Sequence, residues 1–204
     1  MAISEASARK FMVGFFGSLA AGLVTFLVTR PDAISLEEMM NPDAVAELAS
    51  RFPEDEFVAA AVDWVAKEIE YEPITSDIHF YDHAIRGRSI STPTQTLIKG
   101  KGNCLAQAAL LTAILRNRLP SDMVYTALGE VMNNGGGGHA WTIVEQSGVW
   151  KIADPTCEEC SMISGKDPSY ISYAYFNDED VSCLPGTEIC VNSRRVLVRR
   201  RNGH

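Results

Sequence analysis

One segment limits the possible folds more than any other part of the 204-residue chain. Residues 104–118 read CLAQAALLTAILRNR and are apolar on nearly every helical face between Leu105 and Leu115. A helix that is hydrophobic all round has to be buried on most of its surface. The remaining elements of the domain must therefore form layers that cover this helix.

The elements around this segment predict how it is covered. An apolar stripe at helical spacing predicts a helix over residues 53–71, with Pro53 in its first turn. After the buried helix, runs of strand-forming residues predict strands over 123–131, 140–145, 149–153 and 170–176. A glycine-rich loop over residues 133–138 and a tight turn at Ser147-Gly148 separate the first three. This order predicts an α+β domain whose mainly antiparallel sheet packs on the buried helix.

Three residues near the ends of these elements are suited to nucleophilic chemistry. Residues 100–104 (GKGNC) place Cys104 at a helix N-terminus, where backbone N–H groups favour the nucleophilic thiolate and can serve as oxyanion donors. His139, just after the glycine loop, is the predicted base. Asp154, at the end of the next strand, is predicted to orient the imidazole ring. A hairpin that turns at residues 147–148 would bring His139 and Asp154 side by side.

The same three residues lie in short motifs, and the motifs resemble a known family. Residues 102–104 (GNC), 138–141 (GHAW) and 152–156 (IADPT), in this order, resemble the transglutaminase-like superfamily over roughly residues 55–180. The resemblance implies a papain-like core in which Cys104 is the nucleophile, His139 the base and Asp154 the orienting residue. It also implies a protein or peptide substrate and no cofactor or metal for catalysis.

A side-chain donor to the oxyanion is harder to place. Gln95 lies in the segment STPTQTL, which also resembles the superfamily, and is our candidate for this donor. The alternative is that Gln95 is a solvated loop amide.

Four further cysteines follow the three motifs: Cys157, Cys160, Cys183 and Cys190. Four cysteines with a C-x-x-C arm are typical of a structural zinc site. The same four can form two disulfides, which an oxidising exterior would favour. In both cases we expect them to staple the C-terminal segment near the predicted active site. Cys104 is then the odd cysteine, as expected for a free reactive thiol.

The N-terminal part of the chain predicts a membrane anchor. Residues 11–28 carry no charge, and as a helix they would reach about 27 Å, enough for a thin bilayer core. A cleaved signal peptide would need a cleavage site that residues 29–31 (TRP) do not offer, and a buried core helix would need a polar stripe. Arg9 and Lys10 precede the span and Arg30 follows it, which predicts a single-pass protein with an extracytoplasmic domain.

These signals divide the chain into an anchor (residues 1–30), a linker with a short helix (31–52) and a transglutaminase-like domain (53–204). The net charge of −8 argues against nucleic acid as a partner. The exception is the arginine-rich end, residues 194–201, where alternating apolar positions favour an edge strand over a nucleic-acid or lipid-headgroup patch.

Two functions follow from this reading. The first is a membrane-anchored enzyme, in which Cys104 attacks an amide or ester carbonyl and forms a thioester that water or an amine resolves. Water makes the protein a cysteine peptidase or amidase, which we favour, and an amine makes it a protein-glutamine acyltransferase. The second is a binding or assembly module at the membrane, which has the same fold but does not catalyse a reaction.

Overall fold

The computed structural model describes residues 33–73, 79–81, 84–86, 90–132, 137–157 and 162–183. The α-helices in these ranges are α1 (Leu36–Met39), α2 (Ala46–Ala49), α3 (Phe57–Glu68), α4 (Pro93–Lys99) and α5 (Cys104–Arg116). Two short 3₁₀ helices, Pro42–Val45 and Ser121–Met123, precede α2 and the first long strand.

The strands of the described residues form three sheets. They are β1 (Ala33–Ser35), β2 (Glu70–Tyr71), β3 (His79–Tyr81), β4 (Ala84–Arg86), β5 (Lys101–Gly102), β6 (Val124–Val131), β7 (Gly137–Gln146), β8 (Val149–Ala153), β9 (Ile163–Ser164), β10 (Tyr170–Phe176) and β11 (Val181–Cys183). The largest sheet has the order β11-β10-β6-β7-β8-β9, and all its neighbouring strands are antiparallel. A parallel pair, β2 and β5, and a three-stranded sheet, β1-β4-β3, complete the set.

Helix α5 is the buried helix predicted from the sequence. Every residue from Cys104 to Leu115 is buried, and none of its apolar side chains is more than 3% exposed. The helix packs on the large sheet through apolar side chains such as Val124, Ala140 and Val144. The predicted α+β architecture, with a mainly antiparallel sheet on the central helix, is confirmed.

Threonine hydroxyls fix the central helix to two strands within this apolar contact. Thr112 Oγ1 on α5 lies 2.8 Å from Thr126 Oγ1 on β6 and 3.3 Å from Thr142 Oγ1 on β7. The Thr142 hydroxyl also donates to the Ala108 carbonyl at 3.1 Å. All three side chains are buried, so these contacts satisfy polar groups that would otherwise be costly in the core.

Further polar contacts hold both ends of α5. Near its beginning, Gln107 Nε2 donates to the Ile69 carbonyl at 2.8 Å, which ties α5 to the segment between α3 and β2. At its end, Arg116 donates through Nε and Nη2 to the two carboxylate oxygens of Asp178, at 2.7 and 3.1 Å. Such a two-point contact fixes direction as well as distance. The helix therefore has little freedom to slide or rotate against the sheet.

The predicted helix over residues 53–71 is shorter than expected at both ends. Helix α3 begins at Phe57 and ends at Glu68, and Ile69 is already extended. Beyond it the chain pairs with β5, since the Glu70 N–H donates to the Gly100 carbonyl at 2.9 Å. This long-range hydrogen bond replaces the helical one that local sequence favours.

Residues 31–52 are expected to form a linker with a short helix, and the described part of this segment, residues 33–52, contributes to the core. From Leu36 to Ala49 they form α1, a 3₁₀ turn and α2. Met39, Met40, Val45 and Ala49 are each at most 2% exposed and pack with residues of α5 and the sheet. The compact unit that contains the large sheet accordingly begins at Ile34.

The predicted anchor, residues 11–28, and the arginine-rich segment, residues 194–201, lie outside the described residues. Within the described ranges, no helix combines the length and apolar character needed to cross a bilayer.

Candidate active site

Cys104 is the first residue of α5, at the position predicted for it. The preceding Asn103 is extended and caps the helix, since its Oδ1 accepts from the Ala106 N–H at 3.0 Å. Gly102 allows the close approach before the cap, because a Cβ there would lie 2.8 Å from the Ala106 Cβ. Cys104 is a free thiol, 3% exposed, at the end of the helix where backbone N–H groups point outward.

The β7–β8 hairpin brings His139 and Asp154 together. Its register pairs Thr142 with Ala153, and its turn residues Ser147 and Gly148 have φ of 54° and 80°, as a type I′ turn requires. The tight turn predicted there is confirmed. His139 Nε2 lies 2.8 Å from Asp154 Oδ2, and the two side chains are 16% and 3% exposed. The strand next to this turn, predicted over residues 140–145, begins three residues earlier, at Gly137, and so includes His139.

His139 also interacts with the cysteine at the start of α5. Burial lowers the pKa of the imidazole, but the hydrogen bonds and negative charges of Asp154 and Cys104 outweigh this effect and raise the pKa to about 9. The structure therefore brings Cys104, His139 and Asp154 together, and His139 interacts with both of the other residues. At neutral pH this imidazole carries a proton.

The Asp154 carboxylate is 2% exposed and accepts hydrogen bonds on both oxygens. Its Oδ1 accepts from the Thr156 N–H at 3.0 Å and from the Thr156 hydroxyl at 2.7 Å. Its Oδ2 faces His139 and also accepts from the Tyr170 hydroxyl at 2.9 Å. Burial alone would raise the pKa of this carboxyl, but the contacts with His139 and Thr156 hold it below the ordinary value. Asp154 is thus kept ionised in a nearly closed environment.

Sequence reasoning missed three residues beside this group. The contact with Thr156 could have been predicted from the sequence. In a common turn, the Asp side chain accepts a hydrogen bond from the backbone N–H two residues later. Tyr170 carries no comparable local signal, since it reaches Asp154 from another strand. Tyr71 on β2 is paired with Gly102, and the charges of Cys104 and Asp154 add to burial in raising the pKa of its hydroxyl. Tyr71 is 49% exposed, so it lies at the mouth of the site.

Gln95, the predicted oxyanion donor, has a different contact. Its Oε1 accepts from the Thr92 N–H at 3.1 Å, while the Thr92 hydroxyl accepts from the Gln95 N–H at 3.2 Å. These reciprocal bonds form a capping box at the start of α4, with Pro93 in the first turn. The contact gives Gln95 a structural role, and its role as an oxyanion donor stays a prediction.

The four C-terminal cysteines fall only partly within the described residues. Cys157, just after Thr156, takes part in a disulfide bond. Cys183 is the last residue of β11, and Cys160 and Cys190 lie outside the described residues. In the part of the chain that the structure covers, no group of three His, Cys, Asp or Glu side chains could hold a metal ion.

A cysteine at a helix N-terminus beside a histidine–aspartate hairpin is an arrangement typical of papain-like and transglutaminase-like proteins. The sequence profile of the transglutaminase-like superfamily matches residues 43–155, more than half of the chain, and this range includes Cys104, His139 and Asp154. The chain therefore belongs to the transglutaminase-like superfamily. The resemblance read from the three motifs is confirmed.

Solved structures with a similar fold come from bacteria. Calcium-bound LapG from Legionella pneumophila aligns with a TM-score of 0.51 and 16% identity, over 83% of this chain and all of the LapG chain. A proposed cysteine protease from Cytophaga hutchinsonii aligns with a TM-score of 0.47 and 18% identity, over 72% of this chain and 50% of the other. At 16% identity, the similarity to calcium-bound LapG concerns the fold alone. A comparison with curated protein sequences gives no match.

Proposed function

We propose that the protein is a cysteine-dependent acyl-transfer enzyme that hydrolyses amide or peptide bonds through Cys104, His139 and Asp154. The observation that carries this proposal is the contact of His139 with Asp154 on one side, at 2.8 Å between Nε2 and Oδ2, and with Cys104 on the other. Since Asp154 occupies Nε2, we assign Nδ1 to the sulfur.

The reaction begins with the Cys104 thiolate, which the protonated His139 and the helix N-terminus stabilise. The sulfur attacks the substrate carbonyl carbon, and the oxyanion that forms accepts from backbone N–H groups at the start of α5. His139 then gives its proton to the leaving amine, the C–N bond breaks and a thioester remains. Asp154 orients the ring and balances its charge throughout.

The second half of the reaction returns the enzyme to its starting state. Neutral His139 takes a proton from water, the resulting hydroxide equivalent attacks the thioester, and the acid is released as the C–S bond breaks. An amine in place of water would give a new amide, which is the transglutaminase reaction. We favour hydrolysis and a protein or peptide substrate. Release of fluorescent peptides from labelled casein reports hydrolysis, and incorporation of dansylcadaverine into casein reports transamidation.

Iodoacetamide is expected to label Cys104 about ten- to a hundredfold faster at pH 6 than it labels free cysteine, which is almost fully protonated at that pH. The reason is that His139 remains protonated up to about pH 9 and can hold the thiolate as an ion pair. Labelling is measured by mass spectrometry of the full-length chain in mild detergent.

His139→Ala is expected to remove the excess labelling. Tyr175→Phe, which changes a partly buried residue of β10, serves as the control and should label as the wild type does. A buried thiol without an ion-pair partner reacts slowly. Equally slow labelling of the wild type and His139→Ala would contradict the enzyme and favour the silent binding module.

No step of this mechanism is assigned to a metal. LapG was solved with calcium bound, but the carboxylate of Asp154 here accepts hydrogen bonds from the N–H and hydroxyl of Thr156 and from the hydroxyl of Tyr170. For the C-terminal cysteines we propose disulfides instead of zinc, because the disulfide at Cys157 already engages one of the four sulfurs.

We propose that residues 11–28 anchor the enzyme in a membrane, with residues 31–204 on the extracytoplasmic side. The full-length chain is then expected to stay in the membrane pellet after alkaline carbonate extraction, and a variant that lacks residues 11–28 should be released. Wild-type protein in the soluble fraction, cut after the apolar run, would instead identify a signal peptide.

A further inference from the structure

Tyr170 contacts the candidate active site but has no role in the proposed mechanism. It is the first residue of β10, and its hydroxyl donates to Asp154 Oδ2 at 2.9 Å. His139 Nε2 lies 2.8 Å from the same oxygen. Two donors from different strands, Tyr170 and His139, therefore converge on one carboxylate oxygen. His139 is also the residue that transfers a proton in the proposed mechanism, through its other ring nitrogen, Nδ1.

The phenol ring is held in place by its neighbours. It packs edge-on against Trp141, with 5.0 Å between the ring centroids and an interplanar angle of 79°. Trp141 is fully buried and stacks on the His139 ring at 6.0 Å. In the sheet, Tyr170 is paired with Val131 of β6. The hydroxyl is therefore directed at Asp154 by packing on one side and strand register on the other.

Sharing an oxygen between two donors has a chemical consequence. Each donor withdraws part of the negative charge from the carboxylate, so Oδ2 stabilises the positive charge of the protonated ring less than it would with one donor. The ring then gives up its Nδ1 proton more readily. The other oxygen cannot compensate, because Oδ1 already accepts twice from Thr156. An imidazole that holds its proton too firmly is a poor acid towards a leaving amine.

We propose that Tyr170 is a positioning residue that shares Asp154 Oδ2 with His139 and thereby limits how strongly the carboxylate stabilises the protonated imidazole. The inference rests on the proposed function, since it concerns the acidity of the protonated ring whose Nδ1 proton is delivered in that mechanism. It adds a role for β10, a strand outside the three motifs.

Three other titratable groups lie near this pair. Cys104 interacts with His139, and the charges of Cys104 and Asp154 act on Tyr71. The charge of Asp167 acts on Tyr170. The Asp167 carboxylate accepts from the Ser169 N–H at 2.9 Å. A change confined to the Tyr170 hydroxyl leaves all three groups in place, so a shift in the His139 titration can be traced to the shared oxygen.

Tyr170→Phe is expected to raise the pKa of His139 above its value of about 9, by roughly half a unit. The phenylalanine keeps the ring contact with Trp141 and removes one donor, so Asp154 concentrates its charge on His139. Casein hydrolysis should fall by about two- to threefold, because the ring gives up its proton less readily. The titration is followed by NMR of histidine-labelled full-length protein in mild detergent, with His139→Ala to assign the signal.

Tyr175→Phe is the matched control, since it changes a tyrosine of the same strand, and it should leave the His139 titration unchanged. Incorporation of 3-fluorotyrosine at position 170 keeps the ring and makes the hydroxyl a stronger donor, so it should shift the pKa of His139 downward. A pKa that stays the same or falls in Tyr170→Phe would overturn the inference, because it would mean that the hydroxyl only supports packing.

Failure of the inference and failure of the proposed function can be told apart. If wild-type His139 titrates near 6.5 and Cys104 labels slowly, the ion pair is absent and the proposed function fails, and this inference with it. If the wild type shows the raised pKa and fast labelling while Tyr170→Phe shifts the pKa in the wrong direction, the inference alone fails.

Discussion

Asp154→Asn is expected to lower casein hydrolysis by about 10³- to 10⁴-fold, as expected when an orienting carboxylate loses its charge but keeps its shape. Asparagine cannot balance the imidazolium, so the pKa of His139 should fall from about 9 to about 6.5 or below, its ordinary range. The excess iodoacetamide labelling of Cys104 at pH 6 should fall with it, since the thiolate loses its protonated partner. Hydrolysis, labelling and the NMR titration measure the same loss independently.

Asp63→Asn is the control for this change. Asp63 lies on α3 in an exposed ion pair with Lys67, and such pairs contribute little. Circular dichroism of both variants checks that the fold is retained. A turnover within tenfold of the wild type, together with an unchanged His139 titration, would mean that Asp154 does not support the histidine.

Gly129→Ala is expected to destabilise the domain by about 3–5 kcal/mol, or to prevent it from folding. A Cβ on Gly129 would lie 1.8 Å from the Ile171 carbonyl oxygen and 2.8 Å from the Trp141 side chain. Neither neighbour can move away easily, since one is strand backbone and the other a fully buried ring. Gly129 also pairs with His139 across β6 and β7, so the destabilised contact lies beside the candidate active site.

Urea unfolding of the full-length chain in mild detergent measures this effect. Gly138→Ala is the matched control, because a Cβ at Gly138 in the neighbouring strand would meet no atom within 4 Å. Its stability should stay within about 0.5 kcal/mol of the wild type. Equal free energies of unfolding for the two variants would contradict this prediction. They would mean that β10 can move away from β6 without loss of stability.

The sequence predicts those parts of this fold that depend on local pattern. The all-round apolar run after Cys104 identifies the central helix, because burial on every face leaves no polar stripe. The turn at Ser147-Gly148 fixes the hairpin, and the hairpin fixes the contact of His139 with Asp154. These two local signals were therefore enough to predict the centre of the candidate site.

The parts that could not be predicted depend on long-range contacts. Tyr170 reaches Asp154 only because β10 pairs with β6 in a register that is shifted between Ser172 and Ala174. The strand after α3 exists because β5 lies beside it. Gln95 is a different case: Thr92-x-x-Gln95 before an apolar stretch is a capping-box signal that the sequence already contained.

The hydrogen bonds of Asp154 also determine what can approach it. An ionised carboxylate has about four acceptor positions. Here the Thr156 N–H, the Thr156 hydroxyl, the Tyr170 hydroxyl and His139 use four. A solvent molecule or a dissolved cation could reach this carboxylate only by displacing one of these partners. The negative charge that supports His139 is therefore insulated from changes in salt composition outside the protein, whereas charges on the exposed surface are not.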